Sequence, residues 1–201
     1  MAQTTRGFLP DAEGQALFRA AMEGATVGPL LEIGSWCGRS AIYLGTAAEL
    51  NHTVAFCVDH HRGSEELQAG WPHHDASVVD PCTGRIDTLP FLRRTLEAAG
   101  LEDTVVMVVG HSTVVARHWT RRLGLIFIDG GHGSAEAHAD FEAWADHLSP
   151  GGLLIIHDVF VDPAEGGRPP FEIYGRAVES SSFVELEHYR CGSLRVLRRR
   201  S

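Results

Sequence analysis

The chain has 201 residues, of which 44% are hydrophobic and 21% charged, a balance typical of a globular protein with one sizeable core. A formal net charge of -9 argues against nucleic acid or an anionic membrane as the main partner, because those surfaces are bound through clustered cations. All 17 basic residues are arginine, which excludes a lysine Schiff base or a lysine general base. We expect one domain that covers residues 1–201.

The first predicted element is a helix over residues 11–23, where apolar residues recur at helical spacing and Asp11 is placed to cap the start. Apolar runs then alternate with helical patterns along the chain. In order, the predicted elements are strand 28–34, helix 38–50, strand 52–59, helix 87–100, strand 104–110, helix 112–122, strand 123–129, helix 134–148, turn 149–152 and strand 153–160.

Continuous apolar strands that alternate with helices indicate a parallel sheet covered on both faces. After residue 160 the pattern changes to a loop rich in proline and glycine, a helix over 172–181, and two alternating segments separated by "CG". We interpret those segments as an antiparallel hairpin at the sheet edge. The sequence therefore predicts a Rossmann-like, doubly wound α/β fold with a mostly parallel, seven-stranded sheet and a C-terminal antiparallel hairpin.

A long stretch without regular pattern, residues 60–88, follows the second strand. A loop of this length in a compact domain is usually a lid or a binding element. Arg62 and Trp71 are its candidate contacts to a substrate, and Arg168 and Tyr174 are candidates from the later loop. The alternative is that Trp71 only pins the loop to the domain.

Neither a targeting segment nor a membrane span is visible. The N-terminal stretch lacks the apolar core of a signal peptide, and no run approaches the roughly 20 apolar residues that cross a bilayer. The four cysteines are scattered without a C-x-x-C pair, so neither a zinc knuckle nor a disulfide framework is indicated. We expect a cytoplasmic protein.

The loop "EIGSWCGRS" joins the first strand to the following helix, where a ligand binds in open α/β sheets. Gly34 and Gly38 allow close backbone approach, and Ser35 and Ser40 offer hydroxyls. Trp36 stands where the dinucleotide fingerprint has its second glycine, which disfavours a pyrophosphate against this turn. An acid, Asp59, ends the second strand and could accept from both hydroxyls of a ribose. The alternative is a tight turn and a helix cap without a ligand.

The stretch "LEIGSWCGRSA" resembles the first motif of class I S-adenosylmethionine-dependent methyltransferases. The variant L-E-I-G-x-x-x-G-x-S is similar to small-molecule O-methyltransferases related to the catechol and caffeoyl-coenzyme A enzymes. "FIDGGHGSAEAHADFEAWADHLSPGGLLIIHDVF" is similar to the second half of that domain in bacterial relatives of the macrocin O-methyltransferase type. The resemblance covers about residues 30–160.

The resemblance implies a set of cofactor-binding residues. Glu32 would hold the methionine part or order the loop, Gly34 with Gly38 would allow the cofactor's close approach, and Asp59 would bind the ribose. Adenine would lie beside residues that follow the third strand. The full candidate set for S-adenosylmethionine is Glu32, Gly34, Ser35, Gly38, Ser40, Asp59, His60, His111, Ser112 and Asp129.

Acidic and imidazole side chains follow the fourth and fifth strands: Asp129 with His132, and His157 with Asp158. If these strands are neighbours, the four side chains converge and could bind magnesium or another divalent cation. The metal-dependent relatives have an Asp-Asn pair where Asp158 and Val159 stand. Because valine is no ligand, His132 or His157 would replace the missing group, or no metal binds.

The same side chains are the candidate catalytic residues. Without lysine, His132 or else His157 is the expected general base, poised by a carboxylate such as Asp129. The alternative is structural: Asp129 could accept backbone N–H groups and His132 could cap the next helix. Asp140 is read as structural, holding His132 or an arginine, and Trp144 as a core residue.

We therefore expect an S-adenosylmethionine-dependent methyltransferase that acts on an oxygen of a small-molecule acceptor, with or without a metal. Two alternatives remain open. One is a metal-dependent hydrolase or oxygenase on the same scaffold, and the other is a protein that binds the cofactor without catalysis. The oligomeric state is open between a monomer and a homodimer.

Overall fold

The apolar runs form one sheet with helices on both faces in the computed structural model, which describes residues 1–71, 73–131, 133–162 and 164–201. No helix in these ranges combines the length and apolar character needed to cross a bilayer. The helices and strands are α1 Asp11–Gly24, β1 Leu30–Ile33, α2 Arg39–Leu50, β2 Ala55–Asp59, α3 Leu89–Ala99, β3 Val105–Val109, α4 Ser112–Ala116, β4 Leu123–Ile128, α5 Ser134–Trp144, β5 Leu148–Ile156, α6 Arg168–Glu179, β6 Phe183–Glu185 and β7 Arg195–Arg199.

The seven strands lie in the order β3-β2-β1-β4-β5-β7-β6. β1 pairs in parallel with both β2 and β4, whereas β7 is antiparallel to β5 and to β6. This confirms the predicted mostly parallel sheet with an antiparallel hairpin at its edge. After β1 the chain continues toward β2 on one side, and after β4 it continues toward β5 on the other. These opposite directions open a crevice at the carboxyl ends of β1 and β4.

The core lies on both faces of the sheet. On β4, Leu125 and Phe127 pack toward α1, α2 and α3, while Ile126 and Ile128 pack toward α5 and α6. Every residue of β4 is buried, as expected for a strand covered from both sides. Trp144 is fully buried in the core on the side of the sheet that α5 and α6 cover, as predicted for a core residue.

Several element boundaries differ from the sequence prediction. Asp11 does not cap α1, because its carboxylate accepts a hydrogen bond from Arg39 at 2.8 Å. α4 is only five residues long, so most of the predicted helix 112–122 is not α-helical. β5 begins at Leu148 and includes the predicted turn 149–152.

Helix α6 also starts earlier than predicted, at Arg168 instead of residue 172. Pro169 and Pro170 occupy its first turn. Proline suits this place because the first helical N–H groups have no partner within the helix. A sequence that reads as a proline-rich loop therefore forms the start of a helix.

The long loop 60–88 has a small core of its own. Val78 and Ile86 are buried with Cys37, and a bridge pairs Val79 with Ile86. This cluster ties the loop to the segment that follows β1. Trp71 does not pin the loop, because it is 48% exposed.

We predict that Gly34→Ala lowers the free energy of unfolding by about 3 kcal/mol or more. Gly34 has a φ of +89°, and a Cβ there would collide with the backbone carbonyl of Asp129. Urea denaturation of the variant and wild type measures the difference.

Gly175→Ala is the matched control, because a Cβ at this position in α6 meets nothing within 4 Å. It should leave stability unchanged or raise it by about 0.5–1 kcal/mol. Equal unfolding free energies for the two variants would contradict the close packing between β1 and β4.

Candidate active site

A cavity of about 920 Å³ opens at the carboxyl ends of the parallel strands, at the point where the strand order reverses. It is large enough to enclose most of a drug-sized ligand. The described candidate residues that line it are Gly34, Ser35, Ser40, Asp59, His60, His111, Ser112, Asp129 and Asp158. One crevice thus collects residues from the ends of β1, β2, β3, β4 and β5.

The loop after β1 contains a buried hydroxyl next to this cavity. Ser35 lines the cavity but is only 1% exposed, and among the described residues its Oγ has no hydrogen-bond partner. The next residue, Trp36, has a φ of +46°, which is unusual for a large side chain. Its backbone N–H donates to Asp59 Oδ2 at 2.8 Å, which holds the loop in this conformation.

Asp59 organises two loops at once. Its second oxygen, Oδ1, accepts the backbone N–H of His61 at 2.7 Å. A carboxylate has about four lone-pair sites, so each oxygen keeps acceptor capacity for a ligand. His61 itself is buried and bonds Thr88 through Nδ1 at 2.8 Å, so the neighbouring His60 is the member of this pair that faces the cavity.

Two imidazole rings form one wall beside Asp59. The rings of His60 and His111 lie 4.8 Å apart, centroid to centroid, and both residues line the cavity. Next to them, the Ser112 hydroxyl donates to the carboxylate of Asp140. Burial raises the pKa of Asp140 to about 6, with a smaller contribution from the charge of Glu136.

The observed contacts of Asp140 therefore differ from the prediction made from the sequence. The hydrogen-bond partner that the structure shows is Ser112, rather than an arginine, and the side chain belongs to the cavity wall. His132, the other partner expected for it, lies outside the described residues.

Two residues of the first motif lie behind the cavity instead of at its surface. Glu32 is completely buried, and no described group donates a regular hydrogen bond to either of its oxygens. Burial raises its pKa to about 8, although the nearby Ser40 hydroxyl and Cys57 thiol oppose this rise. Gly38 has a φ of +95°, and a Cβ there would lie 2.7 Å from Leu92.

These positions favour an indirect role for both residues. Glu32 is not among the described residues that line the cavity. The glycine at position 38 meets a packing requirement between α2 and α3. Their predicted roles in cofactor binding stay predictions.

His157 stands between three carboxylates. Its Nδ1 lies 2.9 Å from Asp129 Oδ1 and 3.3 Å from Asp158 Oδ2, and its Nε2 lies 2.5 Å from Glu13 Oε2. Ligand atoms of His157, Asp129 and Asp158 fall within 4.8 Å of one another, so the predicted convergence of β4 and β5 residues is observed for these three. The fourth predicted member, His132, lies outside the described residues.

Sequence reasoning missed three residues that precede the first strand. Glu13 reaches His157 from α1, and Phe8 and Arg6 line the cavity. Phe8 is 62% exposed and lies 6.1 Å from the ring of Trp36. No motif marks these positions, and Glu13 reads as one acid on an amphipathic helix.

The predicted acceptor contacts from the two loops lie elsewhere. Arg62 bonds the backbone of Ile86 at 3.0 Å, and Tyr174 bonds Glu185 at 2.7 Å. Arg168 bonds the carbonyl of Val161 at 3.2 Å. None of these three, nor Trp71, is among the described residues that line the cavity.

Comparison with known proteins gives one family match. A family model described as a methyltransferase domain matches residues 31–159. This segment spans β1 to the residues just after β5, and so includes the strand ends that form the cavity.

Solved structures with the same fold are numerous. The O-methyltransferase NovP superposes with a TM-score of 0.70 at 15% identity, over 94% of this chain and 80% of its own. Cofactor-bound Rv0187 from MTB gives 0.68 at 17% identity, over 100% and 85%. The O-methyltransferase TomG from Streptomyces achromogenes, solved in complex with SAM, gives 0.62 at 14% identity, over 94% and 79%. At sequence identities of 14% to 17%, these superpositions establish the fold alone.

We predict that Glu32→Gln gains stability relative to wild type as the pH rises. The native carboxyl has a pKa of about 8 against an ordinary value of 4.5. Below about pH 4.5 the carboxyl is protonated in both the folded and the unfolded protein. Between pH 4.5 and 8 the folded protein retains a proton that the unfolded chain releases, so the free energy of unfolding falls as the pH rises. Between about pH 5 and pH 7.5 the difference between the two proteins should shift by a few kcal/mol.

Urea unfolding at both pH values measures this shift, with Glu49→Gln, at an exposed position on α2, as the control. A pH-independent difference for Glu32→Gln would show that the buried carboxyl is not protonated in the native protein.

Proposed function

Because this chain belongs to the methyltransferase domain family, we propose that it binds S-adenosylmethionine in the cavity and methylates an oxygen of a small-molecule acceptor. The observation that carries the cofactor assignment is the carboxylate of Asp59, which lines the cavity and accepts one backbone N–H at each oxygen. The buried hydroxyl of Ser35, in the adjoining loop, has no partner among the described residues. A polar group buried without a partner costs free energy that a bound ligand recovers.

The described residues fit the parts of this cofactor. Asp59 offers acceptor sites for two ribose hydroxyls, and the adjoining wall of His60 and His111 suits a planar base. Asp140 and Ser112 add polar groups on the same side of the cavity. Ser35 and Gly34 also line the cavity and are the residues that we propose for the methionine part.

S-adenosylmethionine supplies, when bound, a methyl group on a positively charged sulfur. The chain must align an acceptor oxygen with that group and remove its proton. Asp129 and Asp158 line the cavity and carry carboxylates suited to hold and accept the proton of a hydroxyl. His132 remains a predicted base.

His157 stays a predicted base or metal ligand. Its Nε2 lies 2.5 Å from Glu13 Oε2, which can fix the ring, while Nδ1 faces Asp129 and Asp158. A divalent cation at this cluster would be held by His157, Asp129 and Asp158 and would lower the pKa of an acceptor hydroxyl.

The charges around the cavity indicate the kind of acceptor. Both arginines among its described lining residues are already ion-paired, Arg6 with Asp75 at 2.9 Å and Arg39 with Asp11 at 2.8 Å. Acidic side chains predominate in the lining: Asp59, Glu65, Glu66, Asp129, Glu136, Asp140, Asp158 and Glu165. Such a lining disfavours an anionic acceptor and favours a neutral or cationic one.

An aromatic surface at the cavity supports the proposal of a planar acceptor. The ring of Phe8 lies 6.1 Å from Trp36 and 6.0 Å from His73, and all three residues line the cavity. An exposed phenylalanine beside a cavity offers apolar contact and stacking to a flat ligand. We infer an aromatic acceptor with a hydroxyl and without an acidic group.

We predict that Ser35→Ala weakens binding of S-adenosylhomocysteine about tenfold. The hydroxyl has no partner among the described residues, so its loss should leave the melting temperature of the unliganded protein unchanged. Asp59→Asn should weaken binding further, since the amide exchanges one acceptor for a donor. Titration calorimetry measures affinity, and Asp103→Asn, at an exposed position away from the cavity, is the control.

Absence of binding of either cofactor form to the wild type would refute the proposed function. The carboxylate cluster would then be examined for hydrolase or oxygenase chemistry. Binding without methyl transfer to any acceptor would instead support the non-catalytic alternative.

For the acceptor, three matched probes share a catechol ring and differ in charge: catechol, dopamine and 3,4-dihydroxybenzoate. We expect methylation or competitive binding to favour the amine and the neutral ring over the carboxylate by about tenfold. Phe8→Ala should weaken all three alike, whereas Glu65→Gln with Glu165→Gln should reduce only the preference for the amine. Preference for the carboxylate would overturn the charge argument.

A further inference from the structure

The loop that follows β2 crosses the crevice and meets the loop that follows β4. In the sheet, β2 and β4 lie on opposite sides of β1, so their carboxyl ends are about 10 Å apart, or two spacings between strands. Even so, Ser64 packs directly against Gly131, where an added Cβ would lie 2.6 Å from the Cβ of Ser64. Both residues line the cavity. The chain that leaves β2 therefore spans the cavity.

The segment that makes this crossing, residues 62–68, is called the strap below, and the side chain of Gln68 holds its conformation. The Gln68 Nε2 lies 3.0 Å from the carbonyl oxygens of Arg62 and Gly63 and 3.1 Å from that of Ser64. These contacts curl the strap around one amide group. Gln68 therefore sets the place of Ser64 opposite Gly131.

The strap starts beside the carboxylate that we assign to the ribose. The backbone N–H of His61 donates to Asp59 Oδ1 at 2.7 Å, and the buried His61 ring bonds Thr88 Oγ1 at 2.8 Å. These bonds fix the root of the strap to the domain. A ligand that binds Asp59 would lie next to this root.

Beyond its root the strap has little burial. None of residues 62–68 is buried, and the strap has one short turn of 3-10 helix, Glu65–Leu67. A segment with little buried surface opens at a much smaller free-energy cost than global unfolding. The strap can therefore leave Gly131 while the core stays folded.

We propose that the strap closes the cavity over S-adenosylmethionine, and that the cofactor and its demethylated product exchange when Ser64 moves away from Gly131. Gln68 is the positioning residue that holds the closed strap. The identity of the enclosed ligand rests on the proposed function, whereas the contact that closes the cavity does not.

The first test overpacks the contact between the strap and Gly131. The backbone of Gly131 lies outside the left-handed region, so Gly131→Ala is compatible with its conformation. We expect S-adenosylhomocysteine to dissociate about tenfold faster than from wild type, because one added methyl group destabilises the closed strap. Stopped-flow tryptophan fluorescence measures this rate, since Trp36 lines the cavity.

Gly110→Ala is the matched control for this variant. Gly110 also lines the cavity, but a Cβ there would meet Val115 at an ordinary distance of 3.7 Å. Its dissociation rate should equal that of wild type. An unchanged rate in Gly131→Ala would overturn the proposal.

A second substitution should reverse the effect of the first. Adding Ser64→Gly to Gly131→Ala removes the atom that the new methyl group would meet at 2.6 Å and leaves the Cα of residue 64 at 3.9 Å. We expect the double variant to release S-adenosylhomocysteine at a rate close to that of Ser64→Gly alone. Fast release that Ser64→Gly does not correct would show that the strap does not control exchange.

Gln68→Glu tests the strap without changing Gly131, and it serves if Gly131→Ala fails to fold. Glutamate keeps the size of the side chain but sets a carboxylate against the carbonyl oxygens that the amide now bonds. Release of S-adenosylhomocysteine should again be about tenfold faster. Gln15→Glu, the same change at an exposed position on α1, should have no effect, and equal rates in the two variants would contradict the role of Gln68.

Hydrogen exchange of the backbone amides of residues 63–68, followed by mass spectrometry, tests the strap without methyl transfer. S-adenosylhomocysteine should slow this exchange in wild type, and Gly131→Ala should speed it in the unliganded protein. Ligand binding without slower exchange, or no change in Gly131→Ala, would overturn the closure. If wild type binds no S-adenosylhomocysteine, the proposed function fails, and exchange in the unliganded variants still decides whether Gly131 holds the strap.

Discussion

The close packing of the first loop against the end of β4 is the constraint on which the rest of the site depends. Gly34 has no side chain because the backbone of Asp129 fills the space where a Cβ would lie. This contact lies just beyond the parallel pairing of β1 with β4, at the place where the strand order reverses. The crevice that results brings the ends of five parallel strands to one cavity.

The cavity and the layer behind it concentrate acids, and the protein accommodates five of them by several physical means. Glu32 is buried so completely that its proton is retained. Asp59 is held by two backbone N–H groups, and Asp140 accepts from a serine hydroxyl. Asp129 and Asp158 both lie against Nδ1 of His157. A site of this kind is electrostatically suited to a ligand that carries positive charge, such as a sulfonium.

Part of the site comes from outside the segment that defines the family. The matched residues 31–159 contain the strand ends, but Glu13 and Phe8 precede them and Ser193 follows them. α1 packs beside α2, and its buried face sets Glu13 against His157. The ends of the chain thus complete a site whose core belongs to the methyltransferase domain.

The sequence by itself indicated a mostly parallel sheet with helices on both faces, because continuous apolar strands that alternate with helices must be buried on both sides. It also located the glycine loop and Asp59, since their roles depend on local spacing. Only the tertiary structure decided what the acids and histidines contact. The pairing of Glu13 with His157 joins residues 144 positions apart, and no local pattern encodes it. Whether an imidazole is a base, a ligand or a fixed cation depends on which groups face its two nitrogens, and folding alone brings those groups together.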